Sequence, residues 1–545
     1  MQASRPPEPT RARDDAARHR VTPGDLQADD LQADDLQSDD LQSDDLQSDD
    51  LRADVVVVGA GGAGLAAAIE ARAAGASVWV LEKGDAPGGS TALSVGSVTC
   101  TGTRLQREAG IEDAPQAHWE DMAAFDGPLL ARDNRELARV LCEEIPATFA
   151  WLEAQGLRFA GPFAEPPHRL PRMHNVMPNS RAFAHHLERA ARRAGACFAL
   201  RARALRLQER DGRIVGVVFE QDGRERLVRA ARGVVLASGD FTNSPECKRR
   251  FMGEAAARVP GVNTLATGDG QRMAEDLGGV VLHGDLALGP ELRFAPPGAG
   301  SWVHRLPPSP LLGAGMAWAL RRLPAAWIRP FIVRFIATAL APSLEMFELG
   351  ALLVDARGKA VTAPAAQLAA TLAAGGTGSG FIVLDQATAQ RFRGPPHAIS
   401  TAPGIAYAYL DDYARIRPRM HFEADSVSGL AAACGMSATA LQGALGERGR
   451  GSAFIALGPV RPVFVHSEGG LAVDPQHRVL DRQARPLEGL YAAGSVGQGG
   501  LLLKGHGHHL AWAFVSGRRA GRNAALAAEG AAGGAGGARR QAADG

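Results

Sequence analysis

The chain lacks several features that would place it in other protein classes. Its five cysteines are odd in number and form no C-x-x-C pair, which argues against a disulfide framework and predicts a reducing compartment. No run of about 20 uncharged apolar residues is present, so no transmembrane helix is predicted. The N-terminus has no apolar segment typical of a secretory signal, and we expect a cytoplasmic protein. The formal net charge is zero, which indicates no nucleic-acid partner.

Both ends of the chain are predicted to be disordered. In residues 1–50, the pentad DLQ[AS]D is repeated five times between Asp25 and Asp49. A period of five fits neither a helix nor a strand, and the density of acidic residues opposes collapse. We interpret this tail as a tandem duplication, with an acidic interaction arm as the alternative. Residues 531–545 are rich in Ala and Gly and are also expected to be disordered.

A βαβ unit that binds a dinucleotide is predicted near the N-terminus. Val55–Val58 is a continuous β-branched run, as in a strand buried on both faces, and an Ala-rich helix and a second strand follow. Between strand and helix, Gly59, Gly61 and Gly64 have the G-x-G-x-x-G spacing, which allows a tight turn and a close approach to a pyrophosphate. Glu82 lies 18 residues after Gly64, where a carboxylate accepts ribose hydroxyls. No second such glycine motif exists, so no separate NAD(P)H domain is expected.

Further motifs resemble one flavoprotein superfamily, which comprises soluble fumarate reductases, succinate dehydrogenase flavoprotein subunits and 3-ketosteroid Δ1-dehydrogenases. The motifs that carry the resemblance are E-K-G-D-A-P-G-G-S-T at 82–91, V-V-L-A-S-G-D-F at 234–241, T-G-D-G at 267–270, G-G-L-A-V-D at 469–474 and G-L-Y-A-A-G at 489–494. They occur in the family order, and the resemblance spans residues 53–525. It implies FAD as the cofactor. It also implies an α/β fold, with a discontinuous Rossmann-type FAD-binding domain and an inserted α+β capping domain.

The resemblance also implies domain boundaries and cofactor residues. The FAD-binding domain comprises residues 51–290 and 456–530, and the capping domain comprises residues 291–455. The residues expected to bind FAD are Gly59, Gly61, Gly62, Gly64, Glu82, Lys83, Gly88, Gly89, Ser90, Thr91, Gly96, Ala204, Ala237, Gly239, Asp269, Gly494, Ser495, His509 and Leu510. Ser90 falls where succinate dehydrogenases attach FAD to a histidine, so we expect non-covalent binding.

The proton relay of soluble fumarate reductases is missing from this sequence. Its glutamate falls on Pro364 and the next arginine falls on Gln367. The catalytic arginine falls near Ala389, and a substrate histidine falls on Gly289. None of these side chains can transfer a proton or bind a carboxylate, so fumarate reduction through that relay is not expected.

The candidate catalytic residues lie where the closing helix begins, in the run K-G-H-G-H-H-L at 504–510, together with one upstream histidine. They are His466, Lys504, His506, Gly507 and His508. In the family the N-terminus of this helix points at the flavin, where its dipole favours negative charge. A histidine there can act as a general acid or base. The alternative is that two of these histidines only cap and pack. No metal site is expected, because no carboxylate or cysteine lies nearby in the sequence.

The stretch 311–343 interleaves Trp and Phe with Arg, and prolines break it into short segments. This pattern is typical of an amphipathic segment at a membrane interface, which would place the protein at the inner face of the membrane. A helical insertion that packs on the cap, or a dimer interface, is the alternative.

The combined prediction is an FAD-dependent oxidoreductase that acts on CH–CH groups. It transfers hydride between flavin N5 and a C–C bond next to an activating carbonyl, in a lipophilic, ketosteroid-like small molecule. The alternatives are a reductase of an unsaturated, fumarate-like carboxylate and a flavin-binding protein without turnover. The electron donor or acceptor is not identified by the sequence, and a quinone is one candidate.

Overall fold

The computed structural model describes residues 50–294, 306–324, 327–330, 332–334, 341–402, 406–451 and 453–528. The acidic repeat up to residue 49 and the C-terminal tail 531–545 lie outside these residues. Parts of the stretch 311–343 lie outside them as well. The predictions made for those segments therefore stay predictions.

A mainly parallel sheet surrounds the Val-rich strand Asp50–Val58, which pairs in parallel with Val78–Leu81 on one side and with Arg224–Leu236 on the other. Its four valines are buried, as expected for a strand in the middle of a parallel sheet. The strand begins earlier than the sequence predicted. Leu51 is buried in the core and pairs with Val228, so residues 50–54 (D-L-R-A-D), which resemble a further copy of the pentad, belong to the sheet. The repeat pattern concealed this because the pairing partner lies far along the chain.

The main sheet has eight strands among the described residues. In spatial order they are Arg478–Leu480, Pro486–Ala492, Arg213–Gln221, Arg224–Leu236, Asp50–Val58, Val78–Leu81 and Cys197–Ala199, with Arg203–Arg210 paired to Arg213–Gln221.

Two helices pack closely beside this sheet, Gly62–Ala73 and the closing helix His508–Leu526. A Cβ atom at Gly517 would lie 2.3 Å from the carbonyl oxygen of Ala63, and one at Gly521 would lie 2.1 Å from that of Ala67. Only glycine permits this approach of the two backbones. The closing helix is therefore held against the first βαβ unit, which brings its N-terminus to the carboxyl-end side of the sheet.

A second, antiparallel sheet combines strands of the segment predicted to be the cap, 291–455, with the strand Phe454–Val463, which runs past the end of that segment. Its strands are, in order, Glu291–Phe294, Phe454–Val463, Gly380–Asp385 and Leu352–Asp355, with His421–Ala424 also paired to Phe454–Val463. Its side chains build two hydrophobic clusters around Ile382 and Val383, separate from the cluster of the main sheet. The same segment contains two helices, Val427–Cys434 and Ala438–Leu445. The exact domain boundaries stay predictions.

Short sheets and helices connect these units. The remaining strands are Ser97–Thr99, Arg158–Phe163, Met173–Met177, Val281–Leu282, Ala287–Leu288, Ser400–Ala402, Ala406–Ala408, His466–Ser467 and Gly470–Leu471. The remaining helices are Gly89–Leu93, Arg104–Glu108, Pro115–Asp126, Arg135–Ala154, Arg181–Arg193, Pro245–Met252, Glu254–Ala257, Asp269–Glu275, Pro310–Arg322, Glu345–Glu348, Leu368–Ala374, Gln386–Arg391 and Leu410–Ile416. Short 3-10 turns lie at Gly127–Arg132, Ala365–Gln367, Pro418–Met420, Gly446–Arg450 and Gly494–Gly497.

Candidate active site

The glycine turn after the first strand leaves room for a phosphate. Gly59 has φ +102°, and a Cβ atom at Gly64 would lie 1.8 Å from the carbonyl oxygen of Gly59, so turn and helix are in direct contact. A Cβ atom at Gly61, by contrast, would meet nothing within 4 Å. The turn is thus closed on the protein side and open on the other. This shape fits a pyrophosphate approached by backbone amides at a helix N-terminus.

The segment after the second strand folds back onto the same turn. The amide of Ala60 donates to Glu82 Oε2 at 2.8 Å, and the amide of Gly62 donates to Thr91 Oγ1 at 3.1 Å. The amide of Gly88 donates to the carbonyl of Ala60 at 2.9 Å. The predicted cofactor residues of the first motif and of the run from Lys83 to Thr91 are therefore brought together.

Later predicted cofactor residues lie beside them. Lys83 Nζ forms an ion pair with Asp269 Oδ2 at 2.7 Å. Burial opposes ionisation of Asp269, but the hydrogen bond and charge of Lys83, together with Thr267 and Arg272, outweigh it and lower the pKa of this carboxyl. Gly239 has φ +83° and faces open space, and a Cβ atom at Gly494 would lie 2.9 Å from Ala63 Cβ. These positions fit one continuous FAD-binding surface. The roles of the individual residues stay predictions.

The remaining predicted cofactor residues lie at different depths. The Ser90 hydroxyl accepts a hydrogen bond from Asn263 Nδ2 at 2.9 Å. Gly96 adopts φ +84° against Val176. Ala204 and Ala237 are buried, and Ser495 lies in the turn after the strand Pro486–Ala492. His509 and Leu510 belong to the first turn of the closing helix.

The start of the closing helix is fixed by a neighbouring strand. Gly507 is the N-cap residue with φ +92°, and a Cβ atom there would lie 2.6 Å from the amide nitrogen of Thr99. The Thr99 hydroxyl donates to the carbonyl of His506 at 2.5 Å. Because the first amides of a helix have no partner within the helix, this terminus presents donors and a positive dipole. Gly507 thus holds the helix start where a larger residue would not fit.

One group of polar side chains combines His466, Glu468 and His509. The Nε2 atoms of both histidines lie 3.5 Å from Glu468 Oε1, and their ring centroids are 3.7 Å apart. Gln498 Nε2 donates to the other carboxylate oxygen. Burial alone would raise the pKa of Glu468, but the adjacent His509 and His466 outweigh it and keep the pKa well below its usual value. The carboxylate is therefore ionised.

A second group combines His118, His168 and His508, all buried. His118 Nε2 and His508 Nε2 are 3.2 Å apart, and the buried Arg172 donates to His168 Nδ1 at 3.0 Å. Burial lowers the pKa of His508 to about 4 and that of His168 to about 3, so both are neutral. Arg172 also forms a salt bridge with Asp113 at 2.7 Å. This network anchors the first residue of the closing helix.

The two other predicted catalytic side chains have separate partners. His506 Nδ1 lies 2.5 Å from Glu165 Oε1, and this hydrogen bond raises the pKa of the imidazole. Lys504 Nζ donates to the carbonyl of Asp126 at 3.4 Å. Burial, reinforced by the charge of Asp133 and partly offset by Lys504, raises the pKa of the Asp126 carboxyl to about 7.

The five predicted catalytic residues thus divide among different partners. His466 meets His509, predicted as a cofactor residue, whereas His508 turns into the buried network. Sequence reasoning missed Glu468, although it lies two residues after His466. It also missed His118, His168, Glu165 and Asp126, because only folding brings them to the closing helix. No carboxylate lies near the histidine run in the sequence, but folding brings Glu165 and Glu468 into contact with it.

Comparison with known proteins agrees with this geometry. A sequence model of the FAD binding domain family matches residues 54–300 and 336–502. The chain is 26% identical over 506 residues to "Probable fumarate reductase Ifc3" of Shewanella frigidimarina, covering 86% of this chain and 74% of that protein. It is 26% identical over 303 residues to 3-oxosteroid 1-dehydrogenase of Mycolicibacterium smegmatis, covering 41% of this chain and 53% of that protein.

A solved structure shares the fold. It is the open conformation of a flavocytochrome c3 fumarate reductase, with a TM-score of 0.66 at 23% identity over 87% of this chain and 78% of that one. Among the helices of the described residues, none is both long and apolar enough to span a bilayer.

Proposed function

We propose that this chain acts on a C–C bond next to an activating carbonyl. It belongs to the FAD-binding family whose domain it matches over most of its length, and it is an FAD-dependent oxidoreductase. When bound, FAD supplies two-electron redox chemistry by exchanging a hydride at its N5 atom. The protein supplies binding, orientation and charge stabilisation. We further propose that the substrate is lipophilic and ketosteroid-like, and that FAD is held non-covalently.

The observation that carries the proposal is the convergence of His466 and His509 at the start of the closing helix. His509 lies in the first helical turn, and His466 reaches it from the strand His466–Ser467. A carbonyl oxygen in front of this pair would meet imidazole groups and the positive end of the helix dipole. Both favour the negative charge that develops on a carbonyl oxygen when the adjacent C–C bond is oxidised or reduced.

The lipophilic substrate class is supported by the residues that stand where the fumarate reductases have their relay and substrate-binding side chains. Ala389, at the position of the relay arginine, is buried, and Gln367 ends a short 3-10 turn. Gly289 adopts φ +117° against the carbonyl of Val463 and carries no side chain. No guanidinium group stands at these positions to bind a dicarboxylate bidentately. We therefore favour a neutral carbonyl compound over fumarate.

Two further residues have proposed roles at the helix start. Lys504 would stabilise negative charge on the reduced cofactor or on an enolate as a point charge. His506, with its pKa raised by the hydrogen bond to Glu165, would serve as the proton donor. His508 would position the helix rather than touch the substrate, because it is fully buried.

The experiment that tests this proposal is a substrate panel under anaerobic conditions. Flavin reduced with dithionite should be reoxidised by α,β-unsaturated ketones, and oxidised flavin should be bleached by saturated 3-ketosteroids. Fumarate should cause neither change. If fumarate reoxidised the reduced flavin faster than any of the ketones, the proposed substrate class would be overturned.

A second candidate function is the reduction of an unsaturated carboxylate. Lys504 favours it, because by the resemblance to fumarate reductases this cation, 13 residues before Gly517, falls where they have a carboxylate-binding arginine. A flavin-binding protein without turnover is the remaining alternative, and a flavin that no member of the panel alters would support it.

The electron partner and the membrane contact also stay proposals. A quinone is the candidate partner. Leu311 (85% exposed) and Trp318 (54%) protrude from the helix Pro310–Arg322, and Trp327 is 69% exposed. Arg329 instead pairs with Asp412 at 2.6 Å, which ties its segment to the protein. Cosedimentation with anionic vesicles tests the contact, and a Trp318→Ser variant should bind less if the exposed face meets lipid.

A further inference from the structure

Two histidine groups of the described chain place three nitrogen or oxygen atoms within 4.8 Å of one another. One consists of His466, Glu468 and His509, and the other of His118, His168 and His508. Such groups are suited in principle to a divalent transition-metal ion, for which imidazole and carboxylate are common ligands. The hydrogen bonds around each group decide which of them has its ligand atoms available.

The His118 group is occupied by its own hydrogen bonds. Arg172 can only donate, so His168 accepts at Nδ1 and a neutral His168 carries its proton on Nε2. The carbonyl of Lys504 can only accept, so His508 donates from Nδ1 at 2.5 Å and accepts at Nε2 from His118. The proton on His168 Nε2 and the hydrogen bond between the other two rings use the nitrogens that a metal would need. The adjacent guanidinium of Arg172 adds positive charge.

The His466 group has the opposite character. The Nε2 atoms of His509 and His168 are both buried and make no hydrogen bond with the described residues, but Nδ1 of His168 accepts from Arg172, which keeps the proton of that ring on Nε2. Both Nε2 atoms lie 3.5 Å from Glu468 Oε1, beyond the 2.7–3.2 Å of a good N–H···O bond. If an ion lay about 2.1 Å from a histidine Nε2 and from Glu468 Oε1, which are 3.5 Å apart, the N–metal–O angle would be about 113°, close to the tetrahedral angle. The spacing therefore suits a shared ion better than direct hydrogen bonds.

Surrounding residues hold the carboxylate ligand and the strand that carries it. The amide of Gln498 donates to Glu468 Oε2 and to the carbonyl of Leu501 at 2.7 Å, which fixes the carboxylate plane. The buried Asp240 accepts from the amide of Ser467 at 3.2 Å, which holds the backbone between His466 and Glu468. Outer groups of this kind orient ligands and favour a bound cation.

From this geometry we infer that His466, Glu468 and His509 bind one divalent transition-metal ion, with Zn²⁺ as its test ion. The side chains of His466 and His509 are each about one-fifth exposed, at 21% and 20%. In the proposed reaction an ion there would polarise the carbonyl oxygen of the substrate. Metal binding itself does not rest on that reaction.

The test measures metal binding in the holoprotein directly. Protein stripped with a chelator is dialysed against ZnCl₂, and zinc per bound flavin is determined by mass spectrometry. The expected result is one zinc per flavin, with zinc affinity lowered at least tenfold in Glu468→Gln and in His466→Asn. His118→Asn, a matched change of a buried histidine in the other group, should leave zinc affinity unchanged. Flavin content and melting temperature report whether each variant is folded.

X-ray absorption at the zinc edge of the wild-type protein gives a second measurement that needs no variant. It should show a shell of nitrogen and oxygen at about 2.0–2.1 Å with two imidazoles. Three imidazoles, loss of zinc in His118→Asn, or wild-type affinity no higher than that of Glu468→Gln would each overturn the inference.

Discussion

His466 and His509, far apart in the sequence, bring their ring centroids to 3.7 Å and share one oxygen of Glu468. This relationship joins a strand to the first turn of the closing helix at the proposed substrate position. We predict that His466→Asn lowers kcat/KM by about 100-fold, the size expected from loss of one polarising or proton-donating group. Steady-state kinetics with an unsaturated ketone measure this. An unchanged kcat/KM with an intact flavin spectrum would remove His466 from the site.

The open face of the glycine turn gives a prediction for cofactor binding. Gly61→Ala should fold normally, because its Cβ atom meets nothing within 4 Å, but it should bind FAD at least tenfold more weakly because that atom occupies the approach of the pyrophosphate. Gly443→Ala, in the exposed helix Ala438–Leu445 and equally free of contacts, is the matched control. FAD titration of apoprotein measures both. Equal affinities in the two variants would contradict the assignment of the turn.

The buried carboxyl of Asp126 predicts a pH dependence of stability. Its pKa of about 7 in the folded protein exceeds the value of about 3.9 in an unfolded chain. Between these two pKa values the folded protein binds more protons than the unfolded chain does. The stability that protonated Asp126 contributes is therefore lost as the pH rises from about 4 to about 7. At about 1.4 kcal/mol per pKa unit, ionisation of Asp126 costs up to about 4 kcal/mol of the free energy of unfolding, and the Asp126→Asn variant should not show this loss.

Melting temperatures at pH 5 and pH 8 test this prediction. The melting temperature of Asp126→Asn, relative to that of the wild type, should be higher at pH 8 than at pH 5. Parallel pH profiles for the two proteins would show that Asp126 ionises normally.

Ser90 gives a prediction about cofactor attachment. Its hydroxyl accepts a hydrogen bond from Asn263 and offers no histidine ring for a flavin bond. Acid precipitation of the holoprotein should therefore release all flavin into the supernatant, where its absorbance is measured. Yellow colour that stays with the washed pellet would indicate covalent attachment at another residue.

The fold and the cofactor surface could be predicted from the sequence because their signals are local. The Val55–Val58 run, the glycine spacing and Glu82 lie within about thirty consecutive residues, and the structure brings them together as expected. The strand start at Asp50 was missed because its pairing with Leu227 is remote.

The polar groups around the closing helix could be predicted only in part. The run K-G-H-G-H-H-L marks the place, but the partner of each histidine comes from elsewhere in the chain. His118 and Glu165 carry no sequence signal that links them to residues 506–508, because their contacts depend on how three segments pack. The pattern of charges in this site is a property of the tertiary structure.

The most direct test of the proposed activity is an absorbance spectrum of the purified protein followed by anaerobic titration. We predict absorbance bands of oxidised flavin at about 370 and 450 nm. They should bleach with dithionite and return on addition of an α,β-unsaturated ketone. A protein without these bands that FAD cannot reconstitute would contradict the assignment as a flavoprotein oxidoreductase. If the bands of the oxidised flavin returned on addition of fumarate and not of any ketone, this would contradict the proposed substrate class.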